Sequence, residues 1–211
     1  SDVMAIKSRA EDKGDHWLLN GSKTWISNAD VADAIIYYAY TDRSKGAKGL
    51  SAFVVEVKNF NDIRTTALDK MGSRSSPTGE IYLTDTKLPK ANILGNPGDG
   101  AKILFGSLNQ TRLSAAAGGI GVAQACLDAS LKYARGRQQF DEPIFNFQAI
   151  QFKLVDMAVA IELARNQYLK AAWLKDQGRP HTFEASAAKL YASEMVEKVA
   201  SDAVQIHGGY G

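Results

Sequence analysis

At Asn96-Pro97-Gly98-Asp99-Gly100 the sequence changes from one pattern to another. Before this turn-rich stretch, short runs of β-branched and aromatic residues alternate with turn residues, and no helical run separates them. This pattern predicts an antiparallel β sandwich or barrel over residues 1–96. The predicted strands are Trp17–Asn20, Lys23–Ser27, Ala34–Thr41, Leu50–Val57 and Glu80–Leu83, with Asn20-Gly21 as the turn between the first two.

Residues 97–211 have the pattern of long helices, because apolar residues such as Ile150, Leu154 and Met157 recur at intervals of three and four. The predicted helices are Ala101–Arg135, Phe147–Asp176, which ends at Gly178, and Thr182–Ile206. Their short connections indicate an antiparallel bundle. Three helices leave one bundle face open, so we expect a further helix or a partner subunit to cover it. The predicted class is α+β, multi-domain and truncated at both ends.

The composition excludes several classes of function. The chain has 211 residues and a net charge of +2, without a basic run interleaved with aromatic residues, so nucleic-acid binding is not expected. No apolar run approaches the ~18 residues that span a bilayer, so no membrane insertion is expected. A single cysteine, Cys126, excludes an internal disulfide. The three histidines lie far apart in the sequence, so no metal site is predicted.

The segment Ala115–Gly121 is rich in glycine and alanine. It lies within a predicted helix rather than after a strand, so it lacks the strand-turn-helix context of a dinucleotide-binding fingerprint. We therefore expect these small residues to allow close contact between helices.

The segment Gly21–Asn28 places a tryptophan two residues before a serine in a predicted strand. A strand period of two puts Trp25 and Ser27 on the same face. A broad π surface beside a hydroxyl suits a flat heteroaromatic ring such as a flavin. The alternative is a half-buried strand with Trp25 in the core.

Two segments in the helical half could hold a nucleotide. The run Arg137–Phe140 combines a guanidinium, two amides and an aromatic ring, which can bind a pyrophosphate or ribose and stack on a base. It could equally be an ordinary polar connection between helices. The run Gln205–Gly211 places an amide and glycine backbone N–H groups at a helix end. Arg112 by itself reads as a solvated charge on a helix.

In order and spacing, these segments resemble the acyl-CoA dehydrogenase family, and the resemblance extends over essentially the whole chain. The segments that carry it are Lys23–Asn28, Leu50–Glu56, Lys70–Ser76, Leu88–Gly95, Arg137–Phe140, Phe147–Gln151 and Gln205–Gly211. This chain would contain the middle β domain and part of the C-terminal helical domain of such an enzyme.

The resemblance implies an FAD-dependent enzyme, usually a homotetramer, that oxidises an acyl-CoA thioester to the trans-2-enoyl-CoA and passes electrons to electron-transfer flavoprotein. It also implies a cytoplasmic location in a bacterium or the mitochondrial matrix in a eukaryote. Two alternatives stay open: an acyl-CoA oxidase that uses oxygen, and a non-enzymatic binding homologue of the same fold.

The resemblance further implies roles for individual residues. Trp25, Ile26 and Ser27 would line the isoalloxazine ring. Those expected to bind the ADP half of a neighbouring subunit's FAD are Arg137, Gln139, Phe140, Phe147, Gln148, Gln205, Ile206, His207, Gly208 and Gly209. Those expected near the substrate are Ser1, Asn109 and Arg112, although many relatives have aspartate at position 109.

The catalytic base of this family is a glutamate, either late in the bundle or just before the helix arginine. The second position is occupied here by Thr111. We therefore name no catalytic residue in this chain and expect the base C-terminal to Gly211.

Overall fold

The computed structural model describes residues 2–211, which divide into two compact units between Phe105 and Gly106. The main sheet contains β1 (Arg9–Asp12), β2 (His16–Ser27), β3 (Ala34–Tyr40), β4 (Leu50–Glu56), β5 (Ile63–Ala67), β6 (Thr78–Pro89) and β7 (Ile93–Leu94). The helices are α1 (Gly100–Gly136), α2 (Gln148–Asp176) and α3 (Thr182–His207), and a hairpin of β8 (Gln138–Gln139) and β9 (Glu142–Pro143) follows α1. Short 3-10 turns occupy Val3–Ala5, Arg43–Gly49, Val57–Asn59, Lys90–Asn92, Ile144–Asn146 and Gly208–Tyr210. The predicted α+β class is confirmed.

The seven strands follow the order β5-β6-β2-β1-β3-β4-β7. Every pairing is antiparallel except that of β1 with β3, which is parallel at Arg9 and Tyr40. Because β2 already has β1 and β6 as neighbours, β3 joins the free edge of β1, where it runs in the same direction. The sheet is therefore mixed, whereas the sequence pattern predicted antiparallel pairing throughout.

Three strands of the main sheet, β1, β5 and β7, were not predicted, nor was the short β8–β9 hairpin. They are short, and β1 buries only Ala10 while β5 lies at the sheet edge, so their apolar patterns are weak. The predicted turn at Asn20-Gly21 is wrong, because both residues lie inside β2. Gly21 adopts φ 141°, and a Cβ there would lie 2.5 Å from Oγ of Ser8. This glycine therefore allows a close approach between backbones rather than a chain reversal.

The core of the first unit is built on aromatic side chains from separate strands. Trp17 and Phe53 pack edge to face with ring centroids 5.5 Å apart, and both are almost completely buried. Leu19 and Tyr37 are buried in the same cluster. Burying one such side chain contributes about 1.5–3 kcal/mol, so this cluster is the main source of stability for the sheet.

The three predicted helices are confirmed to within about one residue at each end. The end of α2 has the predicted glycine: Gly178 adopts φ 66°, its N–H donates to Lys175 O at 2.9 Å, and the N–H of Arg179 donates to Leu174 O at 2.9 Å. This pair of bonds is a Schellman motif, in which glycine is favoured because it has no Cβ.

The helices of the second unit are arranged up and down. The start of α2 contacts the end of α3 through an ion pair between Lys153 and Asp202. Arg165 of α2 donates to Gln124 of α1 at 2.7 Å, and Lys175 bonds Gln110 nearer the start of α1. Neighbouring helices in sequence are therefore antiparallel, as predicted.

Only one glycine of the Ala115–Gly121 segment makes the expected close helix contact. A Cβ at Gly119 would lie 3.1 Å from Ala192 O of α3. At Gly118 and Gly121 a Cβ would meet nothing within 4 Å. The expectation therefore holds at Gly119, where the backbones of α1 and α3 approach closely.

Helix α2 has an apolar stripe that faces away from the bundle core. Its members, Phe152, Val155, Val159 and Leu163, are each more than half exposed. Their spacing of three and four residues places them on one side of the helix. This exposed stripe is the open face that the count of three helices predicted.

Candidate functional site

The segment that carries Trp25 is a β-bulge at the end of β2. Lys23 pairs with Ile81 and Ile26 pairs with Gly79, so Thr24 and Trp25 together lie opposite the single residue Glu80. Trp25 adopts φ 61°, an unusual conformation for a bulky residue. Bulges re-aim side chains next to functional sites. We call Thr24–Ser27 the bulge segment.

The bulge segment leaves its aromatic ring in solvent. Trp25 is 66% exposed and Ser27 is also exposed, whereas Ile26 packs against the sheet core. The alternative interpretation of Trp25 as a core residue is therefore wrong. The side chains of Trp25 and Ser27 are both exposed, as expected. They lie in an irregular part of the strand, however, and not in a segment with a regular period of two. Ile26 can offer a ligand mainly its backbone.

A polar cluster on β6 and its neighbours lies directly behind the bulge. The carboxylate of Glu80 accepts hydrogen bonds from Tyr82 at 2.6 Å, Thr24 at 3.1 Å and Thr66 at 3.2 Å. The bond from Tyr82, with those from the two threonines, lowers the pKa of Glu80, so it is an anion at neutral pH. The sequence analysis missed Glu80, because a lone carboxylate in a strand carries no motif.

Lys23 lies just before the bulge and is partly buried. Its Nζ is 4.9 Å from the centroid of the Tyr37 ring. Burial lowers the pKa of Lys23 from 10.5 to about 8. Burial also raises the pKa of Tyr37, whose hydroxyl shares a 2.9 Å hydrogen bond with Ser8. A lysine over an aromatic ring gains a cation–π contact. Burial nevertheless removes water from the ammonium group, which disfavours its charged form.

The two described substrate candidates, Asn109 and Arg112, contact each other on α1. Arg112 donates to Oδ1 of Asn109 at 2.8 Å, and Nδ2 of Asn109 donates to Thr182 at 2.9 Å. Both candidates are half-buried. Arg112 is thus held by a neutral partner and keeps its full positive charge for an anionic ligand. Ser1, the third candidate, lies outside the described residues.

In the segment Arg137–Phe140, Arg137 precedes β8, the two glutamines form β8, and Phe140 begins the turn of the β8–β9 hairpin. Phe140 and Asp141 are the two turn residues and have φ values of 53° and 64°. Positive φ at both positions is the mark of a type I′ turn, which favours asparagine and glycine. Phe140 is nevertheless 88% exposed and contacts Phe147 edge to face at 6.1 Å. An exposed aromatic in a strained conformation suggests a binding role.

The end of α1 and the end of α3 form a shared recess of about 500 Å³ in the second unit. Its side chains are those of Ala129, Lys132, Tyr133, Arg137 and His207. His207 lies against the Tyr133 ring, 4.5 Å between centroids, and its Nδ1 donates to Ala203 O at 2.8 Å. The structure therefore brings the predicted residues Arg137 and His207 together.

Lys132 and Tyr133 belong to this recess but were not predicted. The available signal was that they lie in the last turns of α1, five and four residues before Arg137, which directly follows the helix. With Arg137 they give the recess a positive charge and an aromatic surface, which suits a phosphate-bearing aromatic ligand.

The remaining predicted residues are placed as follows. Ile206 is buried in the bundle core at 4% exposure, so it offers a ligand only its backbone. The exposed residues are Gln139, Gln148, Gln205, Gly208 and Gly209. Trp25, Ile26 and Ser27 lie in the first unit, and the other described candidates lie in the second.

Two structural features are absent from residues 2–211. Within that range, no group of three or more His, Cys, Asp or Glu side chains is arranged to hold a metal ion. No helix in the same range combines the length and the apolar character needed to cross a membrane.

Comparison with known proteins identifies two domain families along the chain. The family described as "Acyl-CoA dehydrogenase, C-terminal domain" matches residues 98–211, and "Acyl-CoA dehydrogenase, middle domain" matches residues 1–86. Glutaryl-CoA dehydrogenase of Desulfococcus multivorans is 60% identical over all of this chain and 54% of its own length. The Caffeyl-CoA reductase-Etf complex subunit CarC of Acetobacterium woodii is 44% identical over all of this chain and 56% of its own length.

A solved structure of glutaryl-coenzyme A dehydrogenase in complex with glutaryl-CoA is also similar. It has a TM-score of 0.94 and 58% sequence identity, over 100% of this chain and 53% of that one. This chain thus spans about half the length of the relatives that it matches.

Proposed function

The chain belongs to the acyl-CoA dehydrogenase family, and from this premise we propose that the protein catalyses α,β-dehydrogenation of an acyl-CoA thioester. FAD is the cofactor of the family's enzymes. The observation that carries the proposal is the exposed Trp25 on a strained bulge, because residues 2–105 leave a bulky ring two-thirds in solvent in a conformation that is costly for it.

The described residues fit FAD. Trp25 offers an aromatic surface and Ser27 a hydroxyl for the isoalloxazine ring. The recess between α1 and α3 offers Arg137 and Lys132 for phosphate groups, and Phe140 offers an exposed ring for a base. We propose that the second set binds the ADP half of the FAD of a neighbouring subunit.

The chemistry divides between the cofactor and the chain. The chemistry that bound FAD would supply is that of a two-electron acceptor for the hydride equivalent of the substrate β-carbon. Arg112 would hold an anionic part of the CoA group. The α-proton requires a general base, and Thr111 is not a candidate because it has no carboxylate; its hydroxyl donates to Leu108 O at 3.0 Å. We propose that the base is a carboxylate C-terminal to Gly211.

We propose electron-transfer flavoprotein as the electron acceptor. The support is the similarity to CarC, which is named as a subunit of a complex with Etf. The alternative acceptor is oxygen, as in an acyl-CoA oxidase. If the protein is instead a binding homologue without activity, the flavin should stay oxidised when substrate is added.

We further propose a short dicarboxylic acyl-CoA, glutaryl-CoA, as the substrate. The support is the 60% identity to the glutaryl-CoA dehydrogenase of Desulfococcus multivorans. Valeryl-CoA is the matched comparison, because it has the same five-carbon acyl chain without the terminal carboxylate.

The exposed apolar stripe of α2 supports a homo-oligomer, and we propose the tetramer that is typical of the family. Four large side chains, those of Phe152, Val155, Val159 and Leu163, would be removed from water there. Such contiguous apolar surface on a protein commonly marks an interface.

The proposal is tested by titrating the full-length, flavin-loaded protein, which includes the segment proposed to hold the base, anaerobically with glutaryl-CoA and with valeryl-CoA while recording the visible flavin spectrum. We expect glutaryl-CoA to bleach the flavin, and electron-transfer flavoprotein to restore its colour faster than air does. Rapid peroxide formation in air would identify an oxidase. Absence of bleaching with any acyl-CoA would reject the enzymatic function.

The role of Trp25 is tested with Trp25→Ala, and Trp173→Ala is the matched control. Trp173 is an exposed tryptophan on α2 that contacts Arg179 and lies in none of the proposed sites. We expect Trp25→Ala to weaken FAD binding by about tenfold, which is about 1.4 kcal/mol. The control should bind FAD as the wild type does.

A further inference from the structure

Glu80 makes side-chain contacts to two neighbouring strands at the bulge. It lies opposite Thr66 of β5 on one side and opposite the bulged residues Thr24 and Trp25 of β2 on the other. Its carboxylate accepts one hydrogen bond from β2, one from β5 and one from Tyr82 in its own strand. One side chain therefore connects three strands at the position where β2 departs from regular pairing.

The bond from Thr24 is the contact that reaches the bulge segment itself. Thr24 is the residue immediately before Trp25, and its hydroxyl donates to Oε1 of Glu80 at 3.1 Å. The other carboxylate oxygen, Oε2, accepts from Tyr82 and Thr66 at 2.6 and 3.2 Å. The two carboxylate oxygens thus have different partners. The two bonds to Oε2 orient the carboxylate so that Oε1 is directed at Thr24.

The backbone of Trp25 needs such support. A left-handed conformation costs a bulky residue about 1–2 kcal/mol, and it persists only where its surroundings hold it. The neighbouring strands are already closely packed, because a Cβ at Gly79 would lie 2.1 Å from Thr66 O. This close packing fixes the position of Glu80 relative to β5. The hydrogen bond from Thr24 to Glu80 can therefore hold β2 in place.

We propose that Glu80 is a positioning residue for the flavin site: by holding Thr24 it fixes the bulge that presents Trp25 to the isoalloxazine ring. The inference rests on the proposed function, since it takes Trp25 as part of the flavin site. It extends that function to a carboxylate that acts through its hydrogen bonds to Thr24, Thr66 and Tyr82.

The test compares Glu80→Leu, Glu80→Gln and Thr24→Val by amide hydrogen exchange of the apoprotein and by FAD affinity of the reconstituted holoenzyme. Glu80→Leu and Thr24→Val should speed exchange within Thr24–Ser27 and weaken FAD binding by about tenfold. Glu80→Gln should recover part of both losses, because its amide oxygen can still accept from Thr24. If Glu80→Leu does not fold, Thr24→Val tests the same contact.

Asp85→Asn is the matched control. It removes a carboxylate from β6 at the other place where the register of the β2–β6 pairing is irregular. Asp85 Oδ1 accepts from Asn20 at 2.9 Å, far from the bulge segment in the register. This variant should leave both measurements unchanged. Equal effects from Asp85→Asn, or wild-type exchange within Thr24–Ser27 in Glu80→Leu and Thr24→Val, would overturn the proposal.

The two measurements separate this proposal from the proposed function. If the wild-type protein binds no FAD, the proposed function fails, while exchange still reports whether Glu80 holds the bulge. If the wild type binds FAD and these variants bind it equally well, the flavin function stands and the positioning role is rejected.

Discussion

Asn109 Oδ1 accepts a 2.8 Å hydrogen bond from the guanidinium of Arg112, one turn further along α1. Nδ2 of the same amide donates to the hydroxyl of Thr182 at the start of α3. Asn109 therefore connects the arginine proposed for CoA binding to a second helix. A neutral amide orients the guanidinium without neutralising its charge, whereas a carboxylate would form an ion pair with it.

Asn109→Leu should lower the free energy of unfolding by about 1–2 kcal/mol and raise KM for acyl-CoA, because both side-chain bonds are lost. Asn109→Asp is the matched variant. It can accept from both Arg112 and Thr182, so we expect nearly wild-type stability. Denaturant unfolding and steady-state kinetics measure the two quantities. A wild-type KM in Asn109→Leu would contradict the role of this contact.

Lys23→Met should raise the free energy of unfolding, with the largest gain below pH 8. Burial lowers the pKa of Lys23 from 10.5 to about 8 in the folded protein. Between about pH 8 and 10.5 the unfolded chain therefore binds more protons, and the stability of the wild type rises with pH in this window. Methionine keeps the apolar stem but removes the charge.

The measurement is urea unfolding of both proteins from pH 7 to 10.5. The difference in the free energy of unfolding between Lys23→Met and the wild type should decrease as the pH rises through this window. Lys87→Met, at an exposed position of β6, controls for the loss of one positive charge. A stability difference that does not vary with pH would show that the charge of Lys23 is not the cause.

Phe140→Asn should weaken FAD binding by about tenfold while changing the free energy of unfolding by less than about 1 kcal/mol. Asparagine tolerates the φ of 53° better than phenylalanine does, which offsets the lost edge-to-face contact with Phe147, worth about 0.5–1.5 kcal/mol. FAD titration and thermal unfolding separate these effects. Asp141→Asn is the control within the same turn and should bind FAD normally. Unchanged FAD affinity in Phe140→Asn would assign the aromatic ring no part in binding.

Gly118→Ala should stabilise the protein by up to about 1 kcal/mol, because alanine is the better helix former and the site is open. Gly119→Ala should not stabilise the protein in this way, because its Cβ would lie 3.1 Å from Ala192 O in the rigid backbone of α3. The quantity measured is the difference in unfolding free energy between the two variants. Equal stabilisation by both substitutions would mean that α1 and α3 separate readily at this position.

Local sequence patterns predicted the helical half well. The bounds of α1, α2 and α3 follow from apolar spacing and from end signals such as Gly178, all of which act within a few residues. The strand pattern was less informative. It identified the strands that contain Trp17 and Phe53 but missed β1 and treated Asn20-Gly21 as a turn, because a period of two shows which face is buried and not which strand lies alongside.

The sequence by itself determined the α+β class, the three helices, the family and the tryptophan of the proposed flavin site, since each depends on residue types at short spacing. Only the tertiary structure decided the parallel pairing of β1 with β3, the bulge at Trp25 and its bonds through Glu80, and the recess shared by Arg137 and His207. These features join residues that are distant in the chain. Pairing between strands and packing between helices set their neighbours, and no local periodicity encodes that choice.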